Sequence, residues 1–198
     1  MQRDEFKKIL LNSVKETTQN IRRLNEKSLG KDTYDDEFEY EATYKAHLYH
    51  VLLKNGIDYG ELRLEMQPGS RIGENEHIDL WYTGPNDQHD YLIEVKQVFE
   101  LNSNKDDIRV SEYRRERDGR LQDGIIKDVI KLNKSCRGDR HGIMLLSWVN
   151  TRVEDKLSLD TVKSSIQRLV KEQQSKLYPE RIELLWSSGN RTEYVSLD

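Results

Sequence analysis

The run "DYLIEVKQ" at residues 90–97 sets two ionisable side chains, Glu94 and Lys96, into a stretch otherwise built like a buried strand. Charged groups are costly to take out of water unless they are paired, hydrogen-bonded or bound to a metal. Strand side chains alternate between faces. Leu92, Glu94 and Lys96 therefore share one face, and Tyr91, Ile93 and Val95 share the other. A second run, "HIDLWY" at 77–82, projects Asp79 with His77 and Trp81, opposite Ile78 and Leu80. If the two strands pair through the turn at 83–90, Asp79 lies beside Glu94. Two adjacent carboxylates raise each other's pKa unless a cation stands between them, and a hard divalent ion with oxygen ligands fits that place. Such an ion lowers the pKa of a bound water and offsets charge on a phosphoryl oxygen. Lys96 then suits a group that orients or deprotonates the water, or neutralises a pentacovalent transition state. The chemistry is that of phosphodiester hydrolysis. Covalent catalysis fits less well, because no nucleophile stands beside a partnered base.

The elements that must position these residues follow from hydrophobic period and turn residues. Phe6, Leu10, Val14, Ile21 and Leu24 mark an amphipathic helix over 3–27, suited to an arm or a dimerisation element. A second helix is expected from Glu37 to Lys54, with Tyr40, Tyr44, Leu48, Val51 and Leu52 on its apolar face and Asn55–Gly56 ending it. "ELRLEM" at 61–66, "HIDLWY" and "YLIEVKQV" at 91–98 read as three strands in an antiparallel meander. Residues 99–120 are polar and aperiodic, and read as a long loop or insertion. A helix is expected over 121–134, a strand covered on both faces over 141–149, a helix over 159–177, and closing strands at 181–186 and 193–197. Helices alternating with a mixed sheet indicate an α/β sandwich.

Asp79, then fourteen residues, then Glu94-Val95-Lys96, after a helix bearing acidic residues, resembles the PD-(D/E)xK nuclease superfamily. The family core is helix, three strands, helix, strand, which matches the order read over about 37–149. The resemblance implies a restriction endonuclease-like αβββαβ core, with a mixed central sheet flanked by helices. An extra N-terminal helix (1–30) precedes a nuclease-like domain over 36–198 that ends in a C-terminal helix plus strands. It further implies that Asp79 and Glu94 hold Mg²⁺ or Mn²⁺, helped by Glu41 and the Val95 carbonyl, and that Lys96 activates the water. Glu41 is chosen because it lies one residue past Tyr40 and three before Tyr44, bordering the buried face; Glu37 is the second choice. Gln97 resembles the polar residue that often follows the family's lysine. Two departures stand out. Ile78 precedes Asp79 where the family often has proline. Gln174 and Tyr178 have the spacing of a RecB-type motif but fall after the fourth strand, so they are read as chance.

The bulk numbers bound the reading. The chain has 198 residues, 35% hydrophobic and 34% charged, so its core is modest and its surface heavily solvated. A net charge of −4 argues against a protein that coats nucleic acid nonspecifically. It leaves room for an enzyme that gathers carboxylates at a metal and cations on a rim. Arg109, Arg114, Arg115, Arg117 and Arg120 crowd the polar segment. Lys127, Lys131 and Lys134 form a stripe on the next helix, and Arg137 and Arg140 follow. Of these, Arg114, Arg115, Lys127, Lys131 and Lys134, with Gln97, are the expected contacts to a phosphate backbone. DNA is favoured over RNA, and endonuclease over exonuclease action.

A lone Cys136 excludes an internal disulfide and a cysteine-rich zinc site, and suits a reducing cytoplasm. No apolar run approaches the roughly 20 residues that span a bilayer, and the first residues lack a signal-peptide pattern. His47 and His50 read as ordinary polar-face histidines, Cys136 as a passive thiol, and Trp81, Trp148 and Trp186 as core. The resemblance alone suggests a defence or repair role, as a homodimer or within a larger complex. The rival reading is a non-catalytic module that binds nucleic acid or protein on the same scaffold, its charges structural.

Overall fold

The computed structural model describes residues 3–28, 40–66, 77–85, 90–97, 116–117, 120–121, 125–136, 138–147, 181–188 and 191–196. The helix expected over 159–177 lies outside them, as do Glu37, Arg109, Arg114, Arg115, Arg137, Trp148, Gln174 and Tyr178. Among the described residues the order is α1 (Arg3–Ser28), α2 (Tyr40–Lys54), β1 (Leu62–Met66), β2 (Ile78–Thr83), β3 (Asp90–Gln97), β4 (Glu116–Arg117), β5 (Arg120–Leu121), α3 (Ile125–Ser135), β6 (Arg140–Ser147), β7 (Ile182–Ser188) and β8 (Arg191–Ser196).

Six strands form one mixed sheet in the order β1-β2-β3-β6-β7-β8. β1, β2 and β3 make the expected antiparallel meander, with Leu80 opposite Ile93 and Trp81 opposite Leu92. β6 lies parallel to both β3 and β7, and β8 closes the sheet antiparallel to β7. Parallel neighbours need a crossover, and the chain between β3 and β6 supplies α3 for it. Strands buried on both faces read as continuous apolar runs, and Ile143, Met144, Leu145 and Leu146 on β6 are all buried.

Each face of the sheet has its own cover. Leu80, Tyr82, Tyr91, Ile93, Val95, Ile143 and Leu145 pack under α1 and α2 in one apolar cluster with Phe6, Leu10, Val14, Tyr44 and Leu48. Phe6 stacks on Tyr82 with ring centroids 3.9 Å apart and also meets Tyr91 at 4.7 Å. The opposite face carries α3. Gly142 on β6 allows that approach: a Cβ there would meet Leu132 Cβ at 3.3 Å and Cys136 Sγ at 3.0 Å.

Three expectations need correction. The N-terminal helix is not a separate arm: its apolar face completes the core. Its Thr18 hydroxyl lies 2.9 Å from Tyr44 OH on α2 and 2.8 Å from Ser187 Oγ on β7, tying it to both layers. The helix expected from 121 begins at Ile125, because Leu121 belongs to β5 and pairs with Glu116. That pairing also places a short hairpin at the end of the segment read as loop. Among the described residues no helix is long and apolar enough to cross a membrane.

Candidate functional site

Asp79 and Glu94 meet where the β2–β3 ladder ends. The last ladder pair is Leu80–Ile93, so the next step of the register sets Asp79 against Glu94. There the backbone bond is replaced by a side-chain one: Val95 N–H donates to Asp79 Oδ2 at 2.8 Å. The Asp79 carboxylate is thereby fixed beside the Glu94-Val95-Lys96 segment. Both acids are nearly out of water, Asp79 at 8% exposure and Glu94 at 2%.

Helices supply the rest. From α2, Lys45 Nζ donates to the other oxygen of Asp79 at 3.0 Å and to Glu65 Oε1 at 2.8 Å. Glu65, on β1, holds a left-handed φ of 50°, unusual for a non-glycine residue and a form of strain that gathers at functional sites. Glu41 Oε2, one turn before Lys45, lies 3.7 Å from Lys96 Nζ. From α3, Asp128 Oδ2 approaches the same ammonium at 3.6 Å. Lys131 Nζ stands 2.7 Å from Glu94 Oε1, a buried oxygen that has no other donor among the described residues. The Lys131 ammonium also lies 3.5 Å from Asp128 Oδ1 and donates to the His77 carbonyl at 2.8 Å. Five acids (Asp79, Glu94, Glu65, Glu41 and Asp128) and three ammonium groups thus interleave at one end of the sheet.

The electrostatics follow from that crowding. Burial, then the neighbouring Asp79 and Asp128, pushes the Glu94 carboxyl up to about 9, and Lys131 offsets only part of this. Burial likewise raises Glu41 and Asp128. For Lys96, burial favours the neutral amine, but Asp128, Glu41 and Asp79 together outweigh it and raise its pKa. Lys131 behaves the same way, with Glu94 and Asp128 outweighing burial. Both lysines are therefore held as ammonium ions at neutral pH.

Asp79, Glu94, Lys96 and Glu41 all reach this place, as does Val95 through its N–H. The side chain of Gln97 lies outside the description, at the end of β3. The proposed cationic stripe divides. Lys134 is exposed and Lys127 half-buried, while Lys131 turns inward onto Glu94 with 12% exposure. Lys131 therefore belongs to the acidic group and not to a solvated rim, because Glu94 gives its ammonium a closer counter-charge than solvent does. Arg140 is also engaged, with Asp90 at 3.2 Å and over the Trp81 ring at 4.9 Å. Cys136 is buried and its thiol is pushed up to about 12 by burial, which makes it unreactive.

Lys45 and Asp128 were not foreseen. Asp128 carried a legible signal: Ile125, Asp128, Val129 and Leu132 follow the i, i+3, i+4, i+7 spacing of a buried stripe. An acid inside such a stripe points inward. Lys45 is four residues after Glu41, one turn along the same side of α2.

Among the described residues, no three His, Cys, Asp or Glu side chains gather as a ready metal-ligating cluster; ammonium groups stand between the acids. The donor chemistry nevertheless fits a hard divalent ion. It is all oxygen, with Asp79 and Glu94 buried, and among the described residues the Glu94 Oε1 atom faces no donor but the Lys131 ammonium. Comparison of the chain with family models, with curated proteins and with solved structures gave no match.

Proposed function

We propose that this chain is a metal-dependent nuclease of the restriction endonuclease-like type, hydrolysing phosphodiester bonds of nucleic acid. DNA is its favoured substrate and cleavage is internal. One observation carries the reading: the Asp79 carboxylate is bonded to the Val95 N–H, between Glu94 and Lys96, at the end of the β2–β3 ladder. The αβββαβ order from α2 to β6, with β4–β5 inserted, supports the same conclusion.

Asp79 and Glu94 would hold Mg²⁺ or Mn²⁺, with Glu41 and the Val95 carbonyl beside them, and the ion would supply an activated water and charge neutralisation at the phosphoryl group. Lys96 is an ammonium bracketed by Glu41 and Asp128, so it orients the water and stabilises the developing negative charge as a cation, without first losing a proton. Lys45 fixes Asp79 from the side away from Val95, which leaves that carboxylate little rotational freedom. Asp128 places the Lys96 ammonium.

The test is a cleavage panel of plasmid, linear duplex, single-stranded DNA and RNA with Mg²⁺ and Mn²⁺. Lys96→Ala is expected to remain folded by circular dichroism and to lose about 10²–10³-fold in cleavage rate. Asp79→Asn, which keeps an acceptor for Val95 N–H, is expected to be inactive. Wild-type cutting by either variant, or no cutting across the panel, would reject the reading.

A second reading has its own support. Lys131–Glu94 and Lys45–Asp79 already neutralise the two principal acids, as they would in a non-catalytic module that binds nucleic acid or protein. Tight nucleic-acid binding without cleavage in any metal would favour it.

A further inference from the structure

Resting on the nuclease reading, we propose that Lys131 is the resident counter-cation of the metal position and that a divalent ion binds only in exchange for it. The geometry separates the two lysines of the site. Lys96 stands back from its partners, 3.7 Å from Glu41 and 3.6 Å from Asp128. Lys131 presses to 2.7 Å from Glu94 Oε1, a buried oxygen for which no other donor is found among the described residues. An oxygen so placed is the natural ligand atom, and an ammonium against it excludes a second cation by like-charge repulsion.

The exchange has a route built into α3. Asp128 lies one turn before Lys131, with Oδ1 3.5 Å from Nζ. When the ammonium leaves Glu94 it keeps a carboxylate partner on its own helix. The lysine stem is long and freely rotating, so withdrawal needs no backbone movement. What is given up is the contact with Glu94 and the bond to the His77 carbonyl. Glu94 is meanwhile never left alone beside Asp79 and Asp128, which would leave a buried acid uncompensated. Lys131 thus keeps the free protein folded around its acids and sets a threshold on metal affinity.

The probe is Mn²⁺ alone, with the full chain and no nucleic acid. Titration calorimetry at pH 8 is expected to show Lys131→Met binding Mn²⁺ about tenfold more tightly than wild type. Lys131→Arg, which keeps the charge, is expected to bind no more tightly than wild type. A second measurement needs no variant. Amine acetylation followed by mass spectrometry is expected to modify Lys131 several-fold faster in saturating Mn²⁺, while exposed Lys134 is unchanged. Equal Mn²⁺ affinity in wild type and Lys131→Met, or Lys131 labelling indifferent to Mn²⁺, would overturn the exchange even in a protein that cleaves DNA. Absence of Mn²⁺ binding by wild type and Lys131→Met alike would overturn it together with the metal site itself.

Discussion

The two faces of β2 and β3 are built from alternate residues of the same two strands, yet they are held together on opposite principles. On the α1–α2 face, Leu80, Tyr82, Tyr91, Ile93 and Val95 are buried against apolar neighbours. Each such side chain contributes roughly 1.5–3 kcal/mol by leaving water. On the α3 face, Asp79 and Glu94 are almost as buried, and taking each charge out of water costs several kcal/mol before its partners repay it. The first face requires only shape and volume. The second requires Lys45, Lys96 and Lys131 to be in place. One face is held by apolar packing and the other by interleaved charges, with a pleat of one residue between them.

The sharpest way to break that division is to damage the apolar face. Phe6 is fully buried, stacked on Tyr82 and tilted against Tyr91. Phe6→Ala is expected to destabilise the protein by about 3–5 kcal/mol in urea unfolding. Any cleavage activity per folded molecule should be unchanged. The same result would establish α1 as part of the core. A near-neutral Phe6→Ala would return it to the status of an arm.

The converse change is expected to stabilise. Burial, with Asp79 and Asp128 nearby, raises the native Glu94 carboxyl well above its unfolded value near 4.5, and Lys131 holds back part of that rise. Between those values the native state binds more protons than the unfolded state, so stability falls as pH rises through this window. Glu94→Gln removes the titration while preserving shape, and Lys131 keeps Asp128. In EDTA at pH 8 the variant is expected to gain on the order of 1–3 kcal/mol. Its stability should decline less steeply with pH, the residual slope coming from Glu41 and Asp128, whose carboxyls are also raised by burial. It should also lose Mn²⁺ binding. A Glu94→Gln variant that is destabilised at pH 8, with the wild-type slope intact, would mean that the charged face supports the fold after all.

The two faces also differ in how far they could be read from residues alone. Period-two alternation in "HIDLWY" and "YLIEVK" places Asp79 and Glu94 on one face, and the observed pairing supplies the register that brings them together. Short-range periodicity assigned Leu80, Tyr91, Ile93 and Val95 to the face that packs under α1 and α2. It could not assign the cations. Lys131 has the i, i+3, i+4 relations of a surface stripe with Lys127 and Lys134, and only the third dimension shows that Glu94 lies beneath it. The N-terminal helix failed for a related reason. Ser13, Thr17 and Thr18 make its inner side look polar, yet all three are buried, and Thr18 finds hydroxyl partners on α2 and β7 that lie far away in sequence.

The smallest expected effect refines the charged face where it meets solvent. Lys134, in the last turn of α3, is exposed, one turn beyond inward-facing Lys131. Lys134→Ala should shift stability by no more than about 0.5 kcal/mol, since it removes a solvated charge with no buried partner among the described residues. If α3 presents its outer lysines to a phosphate backbone, the variant should bind duplex DNA more weakly at every sequence. The slope of log affinity against log salt should become shallower by about 0.9, the value for one lost phosphate contact. The measurement is binding in Ca²⁺ or EDTA over a range of salt, so that cleavage does not intervene. An unchanged slope would confine the functional charge of α3 to Asp128 and Lys131 and assign Lys134 to solvent. The difference between neighbours one helical turn apart would then be complete, because Lys131 faces a buried carboxyl where salt screens poorly, whereas Lys134 sits in the screened layer.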